Sequence, residues 1–171
     1  MQKAFLGNEQ MRVDDKGRVG IPSRFVAVLR ELCPDRCDSV GVMITPDRSI
    51  KIMPAPVFEK ELERWSELND QIDEERTVLN MSTSLADELA LDRQNRIRLN
   101  PLMMDLCRIE RHVVFVGTVH YMQLFDDKVY RAMVERQLPQ WAQAATRVAR
   151  KGGEGPAATP GPPPSAGGSP S

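Results

Sequence analysis

Short runs of alternating apolar and polar residues occur twice in this 171-residue chain, each broken by a charged turn. Val13-Asp14-Asp15-Lys16-Gly17-Arg18-Val19-Gly20-Ile21 and, 78 positions on, Leu91-Asp92-Arg93-Gln94-Asn95-Arg96-Ile97-Arg98-Leu99 share one pattern, apolar-Asp-x-polar-(Gly/Asn)-Arg-apolar-x-apolar. Alternation with period two around a polar turn predicts strand-turn-strand in each copy. A short helical stretch follows each copy, at 23–32 and 101–109. A second hairpin comes next. Its strands are predicted at 40–45 and 50–53 around Pro46-Asp47-Arg48-Ser49, and at 113–117 and 122–125 around a connection near His120. Beyond it the halves match at an offset of 72, Val57-Phe58 corresponding to Val129-Tyr130. The six lost residues are assigned to the stretch between short helix and hairpin. Each half reads strand, basic turn, strand, short helix, hairpin, longer helix.

The longer helix of the first half is marked by Phe58, Leu62, Trp65, Leu68 and Ile72, one apolar stripe at helical spacing. Residues 59–76 carry eight acidic and three basic side chains, so this helix would be repelled by phosphate. Its stripe reads as a seam facing the core or another subunit. Residues 77–89 predict a further helix running into the next strand. The last helix, 128–150, carries Val129, Met133, Val134, Leu138 and Trp141, and Pro139 is expected to kink or split it. Residues 152–171 hold six Pro and six Gly and predict a disordered tail. The resulting division is an α+β chain with a first repeat at 8–55, a helical connector at 56–85, a second repeat at 86–129, a C-terminal helix at 130–151 and the tail.

Composition narrows the function classes. Hydrophobic residues at 41% and charged residues at 27% fit a soluble globular protein. A net charge of -1 means that any nucleic-acid site is local. No apolar run approaches the roughly 18 residues of a membrane span. The first 15 residues lack a secretory signal, so the expectation is a cytoplasmic chain with no membrane partner. Three cysteines, Cys33, Cys37 and Cys107, read as reduced thiols. Cys33 and Cys37 with His112 or His120 make a poor metal set, because the Cys-x-x-Cys knuckle of structural zinc sites is missing. Phosphate-cradling Gly-Lys loops, Gly-x-Ser-x-Gly elbows and His-Glu-x-x-His helices are absent from the sequence. Asp126-Asp127 reads as a helix start rather than an acid-base pair. Met43, Met53, Met103, Met104 and Met122 read as adaptable core filler. The chain is therefore expected to be no enzyme, with no cofactor, metal or small-molecule substrate.

The repeated turn carries the candidate chemistry. Asp14 and Asp92 can each accept backbone hydrogen bonds two residues on and fix the turn. Gly17 supplies a positive φ, and Asn95 is among the few residues that tolerate one. Lys16 and Arg18 then project from a hairpin toward phosphates or a base edge, arginine being suited to bidentate contact with guanine. With Arg24 in the first copy and Arg93, Arg96 and Arg98 in the second, each copy has a local net charge of +2. The competing reading is that each Arg pairs with its Asp and the turn is a solvated tip. One chain offers two basic turns at most, so useful DNA affinity requires an oligomer.

Phe5-Leu6-Gly7, the run from Val13 to Phe25, Ile52-Met53-Pro54 leading into Phe58-Glu59, the second basic copy, and Val116-Gly117 before Leu124-Phe125-Asp126 together resemble the MraZ family over roughly residues 5–135. The resemblance implies two AbrB-like swapped-hairpin β-barrel repeats per chain and assembly into a homo-oligomeric ring, an octamer or dodecamer. It implies a nucleoid-associated transcriptional regulator, often a repressor, that binds repeated motifs in the promoter of its own division and cell-wall operon. Its DNA contacts map onto Lys16, Arg18 and Arg96. The alternative is an AbrB-like interaction hub, antitoxin-like, with DNA binding secondary. This chain departs from the family at Asn95 (usually Gly), at Val26 and Met104 (often Arg), at Asn100, and at Gln94, the counterpart of Lys16. The second turn is therefore expected to be the weaker DNA contact.

Overall fold

The computed structural model describes residues 4–151; the expected tail lies outside the described residues. The first half runs β1 (Asn8–Arg12), β2 (Arg18–Gly20), α1 (Ser23–Leu32), β3 (Ser39–Ile44), β4 (Ile50–Met53) and α2 (Ala55–Ser66). After α3 (Asp73–Ser84), the second half repeats it as β5 (Ala86–Ala90), β6 (Arg96–Arg98), α4 (Pro101–Leu106), β7 (His112–Gly117), β8 (Met122–Asp126) and α5 (Asp127–Lys151). The α+β class and the element order within each half agree with the sequence pattern.

The halves are interleaved rather than side by side. Six strands form one sheet in the order β1-β7-β8-β4-β3-β5, and β2 and β6 form a second. Each half's first strand pairs with the other half's hairpin: β1 lies along β7, and β5 along β3. The order is unchanged when the halves are exchanged, which is a pseudo-twofold arrangement. Its axis runs between β2 and β6, where Val19 faces its own counterpart Ile97. It emerges between β4 and β8, where Lys51 faces its counterpart Gln123. Val19, Ile97, Val42, Ile50, Ile52, Phe115, Met122 and Leu124 are fully buried, and the core lies along this axis.

Register relocates the length difference between halves. β3 and β7 are equivalent at an offset of 73, because Met11 pairs Val113 where Leu89 pairs Val40. Five of the six residues are therefore lost between short helix and hairpin, and one in the hairpin turn itself. The second short helix also stops at Leu106 instead of 109. Arg108 adopts φ 55, and Ile109 N–H closes back on the Met104 carbonyl at 2.8 Å, ending the helix.

Three helical expectations are corrected. The stripe through Ile72 does not belong to one helix: α2 ends at Ser66. Asn69 Oδ1 accepts the Gln71 N–H at 2.9 Å in an Asx turn that breaks the chain direction. A new helix starts at Asp73 with Asp73, Glu74 and Glu75 in its first turn, where the helix dipole favours acids. That helix stops at Ser84, and strand β5 takes over residues assigned to it from sequence. Pro139 does not split α5, which is continuous as a helix from Asp127 to Lys151. The proline removes one N–H from the ladder, and its neighbours are exposed, so water can reach the freed carbonyl. Asp126 caps that helix as expected, its Oδ1 accepting the Lys128 N–H at 2.9 Å.

Two compact units divide between Ala132 and Met133. The first contains every strand and α1 to α4. The second, from Met133, contains the distal part of α5, whose Leu138, Trp141 and Val148 are exposed.

Candidate nucleic-acid interface

The two turns have one geometry. In the first, Asp14 N–H donates to the Arg18 carbonyl at 2.9 Å and Gly17 N–H to the Asp14 carbonyl at 3.0 Å. Asp14 Oδ1 accepts the N–H groups of Lys16 and Arg18, each at 2.9 Å, and its Oδ2 accepts Arg18 Nε at 2.7 Å. In the second, Asp92 Oδ1 accepts the N–H groups of Gln94 at 2.8 Å and Arg96 at 3.0 Å, and Oδ2 accepts Arg96 Nε at 2.7 Å. Gly17 has φ 75 and Asn95 φ 56, so Asn does stand in for Gly at the left-handed position.

Three hydrogen bonds to the ionised form make these aspartates strong acids. The Arg18 N–H foremost, with its guanidinium and the Lys16 N–H, holds Asp14 down to about 2. Asp92 is lowered for the same reasons, led by the Arg96 N–H.

Each turn is also locked to the opposite half. Leu99 N–H donates to the Gly17 carbonyl at 2.9 Å, and Ile21 N–H to the Asn95 carbonyl at 3.0 Å. Between the turns, β2 and β6 pair Arg18 with Arg98 and Gly20 with Arg96. Val19 and Ile97 point into the core, so Arg18, Arg96 and Arg98 share the outer face of this ladder.

Arg18 and Arg96 are thus clasps as well as cations. Each spends Nε on its aspartate, and among the described residues the Nη groups of both remain without hydrogen bonds. Lys16, Arg93 and Arg98 are exposed and, among the described residues, carry no ion pair. Lys16 and Arg98 line one groove beside α4, with Asp14, Asp15 and Asp105. Arg24 is not brought into this set. Its Nη2 donates to the Asn8 carbonyl at 2.6 Å, its Nε pairs with Glu9 at 3.1 Å, and its guanidinium covers the Phe25 ring.

One basic residue was not singled out from sequence. Arg30 of α1 reaches the second turn, where Nη2 donates to Asn95 Oδ1 at 3.2 Å. It lies one helical turn beyond Val26 on α1, four residues along the same face. The candidate metal residues do not gather. Cys33 is buried and burial raises its thiol, Cys37 donates its S–H to the Cys33 carbonyl, His112 sits on β7 opposite Arg12, and His120 lies between β7 and β8.

Sequence comparison relates the chain to known proteins. A family model described as "MraZ protein, putative antitoxin-like" matches residues 83–151. The chain is 30% identical over 146 residues to "Transcriptional regulator MraZ" of Chlorobium phaeobacteroides, covering 84% of this chain and 97% of that protein. A protein of the same name from Chlorobaculum parvum is 35% identical over 120 residues, covering 66% and 73%. Another, from Pelodictyon phaeoclathratiforme, is 29% identical over 147 residues, covering 84% and 97%. Identity of 30% that runs through both halves and covers 97% of the Chlorobium phaeobacteroides protein means that this chain belongs to the MraZ family.

Proposed function

We propose that the chain is a sequence-specific DNA-binding transcriptional regulator that reads duplex DNA through its two clasped turns. The observation that carries this reading is the pair of rigid Asp–Arg turns joined by β2 and β6, with Arg18, Arg96 and Arg98 on one outer face. Rigidity lowers the entropic cost of contact, and two cations per turn suit a polyanion. Lys16 and Arg93 extend the contact from the turn tips, and Arg24 orders the N-terminal strand beneath. The exchange of strands supports reading 8–55 and 86–129 as two AbrB-like swapped-hairpin repeats closed into one barrel. Two weak contacts per chain add up only in an assembly, so the working form is a homo-oligomeric ring, nucleoid-associated, repressing its own division and cell-wall operon through repeated promoter motifs.

The test is fluorescence anisotropy against the DNA upstream of the protein's own coding region, with a scrambled duplex and a salt series. Tight binding to the native duplex that weakens steeply with salt and falls in Lys16→Ala is expected. Lys16 makes no clasp, so its loss reports contact rather than folding. Equal weak binding to both duplexes would replace this reading with the antitoxin-like interaction module, which the exposed acidic side of α2 and α3 would serve.

A further inference from the structure

A basic cavity of about 380 Å³ lies between β4, α2 and the connection from β7 to β8. Lys51, Lys60, Arg64 and His120 line it, with Glu61 as the single acid among the described residues. Lys51 Nζ pairs with Glu61 Oε1 at 2.5 Å, both side chains being only 13% exposed, and lies 4.3 Å from the centre of the Tyr121 ring. Glu61 Oε2 pairs with Arg64 Nη2 at 2.8 Å. One carboxylate is thus shared by two cations. Lys60, one helical turn before Arg64, has neither ion pair nor hydrogen bond among the described residues. Three permanent cations (Lys51, Lys60, Arg64) against Glu61 leave a net charge of +2.

The fold does not require this set. The pseudo-twofold exchanges Lys51 with Gln123, and at the same offset of 72 Lys60 and Glu61 become Ala132 and Met133. Where Lys51 covers Tyr121, Gln123 donates a neutral hydrogen bond of 3.1 Å to Ser49, the counterpart of Tyr121. Arg136 keeps the charge of Arg64, but Arg48, the counterpart of His120, donates to the Leu106 carbonyl instead. A nearly buried ion pair carries a desolvation cost that its attraction barely offsets. The second half holds the same strands without one, so the charges beside Lys51 serve something other than the sheet.

We propose that this cavity binds a small organic phosphate monoester. Its dianionic phosphate group matches the net +2, which a single carboxylate would not. Lys60 supplies a point charge, and Arg64 supplies the planar donors that suit phosphate oxygens. Glu61, itself anchored by Lys51, holds Arg64 in place. His120 carries at least one ring N–H donor in either protonation state. Val57 and Tyr121 give the cavity an apolar wall for the organic part, and the volume is that of a small-molecule site. Lys51 lies where the pseudo-twofold axis emerges between β4 and β8, and the basic turns flank its other end at β2 and β6. Ligand and DNA would therefore occupy different faces.

The experiment is isothermal titration calorimetry of the full chain at fixed ionic strength, with phenyl phosphate and inorganic phosphate as probes. Lys60→Ala, Arg64→Ala and Lys16→Ala are titrated beside wild type. Circular dichroism melts show that each variant folds, as expected for substitutions at exposed positions. Phenyl phosphate is expected to bind wild type more tightly than inorganic phosphate does. Lys60→Ala and Arg64→Ala should each weaken it roughly fivefold or more, the loss of one charge-assisted hydrogen bond, while Lys16→Ala leaves it unchanged. Absence of binding at millimolar probe overturns the proposal. Binding that falls in Lys16→Ala but not in Lys60→Ala overturns it by placing the anion at the basic turns. Equal affinity for the two probes overturns the assignment to an organic monoester. None of these outcomes bears on whether the turns bind DNA, which the Lys16→Ala anisotropy titration decides separately.

Discussion

Asp14 and Arg18 show how one residue pair can be structural and functional together. The carboxylate that orders the turn also takes one of the guanidinium's five N–H donors, leaving the four on the Nη groups. The pH consequence follows from the depressed acid. Asp14 ionises at about 2 when folded and at roughly 4 when unfolded, so its contribution is complete above roughly pH 4 and is lost as pH falls toward 2. Asp92 moves in the same direction. A melting-temperature series from pH 6 to pH 2 is expected to fall through that window, and less steeply in Asp14→Asn. Arg30 raises a second prediction. Sequence ranks the second turn as the weaker DNA contact, yet the fold brings Arg30 to it while Asp105 lines the groove beside the first. Arg30→Ala is expected to weaken operator binding roughly tenfold, about 1.5 kcal/mol for a charged hydrogen bond. Arg108→Ala, the substitution 78 positions on, is the control. Equal effects of the two in anisotropy titrations would refute a role for Arg30.

At the scale of elements, α1, the 40–53 hairpin and both turns were legible because each is specified by neighbours in the chain: period, Asp, Gly or Asn, and Pro. The end of α2 was not legible, since Leu68 and Ile72 keep the helical spacing of α2 while Asn69 and Asp70 turn the chain. Arg30 was missed for a related reason, its partner Asn95 being 65 residues away. Asn100, read from sequence as a departure, is a helix cap: its Oδ1 accepts the Met103 N–H at 2.8 Å. Its counterpart Pro22 makes no side-chain cap on the longer α1. The six-residue α4 has few hydrogen bonds of its own, so Asn100→Ala is expected to cost about 1 kcal/mol in urea unfolding. Gly41 marks a different constraint. A Cβ there would lie 2.1 Å from the Phe58 ring, so α2 packs on β3 only across a bare backbone. Gly41→Ala is expected to destabilise by about 1–3 kcal/mol in the same assay, with the α2–β3 contact opening.

Periodicity reports which residues pair with some strand, but not with which one, and the whole-molecule arrangement depends on that choice. Apart from the β3–β4 and β7–β8 hairpins, every strand pairing joins one half to the other. Phe5 of the first half is fully buried and exchanges backbone hydrogen bonds with Val119 of the second, and each turn's carbonyl is satisfied by the opposite half. A single half thus retains one hairpin and a few helices while exposing the faces of β1 or β5 and the Val19 or Ile97 side of the core. A lone hairpin is marginal in water. Chains covering 1–70 and 71–151, cut in the exposed Asn69–Gln71 turn, are therefore expected to lack cooperative melting when separate at low micromolar concentration. Mixed at equal concentration they should recover the circular dichroism spectrum and a cooperative transition, because the cut removes no strand pairing. A sharp melt from either fragment alone would mean that the halves are independent modules. The exchange of strands would then be incidental to stability, and the two basic turns would no longer be obliged to keep a fixed spacing.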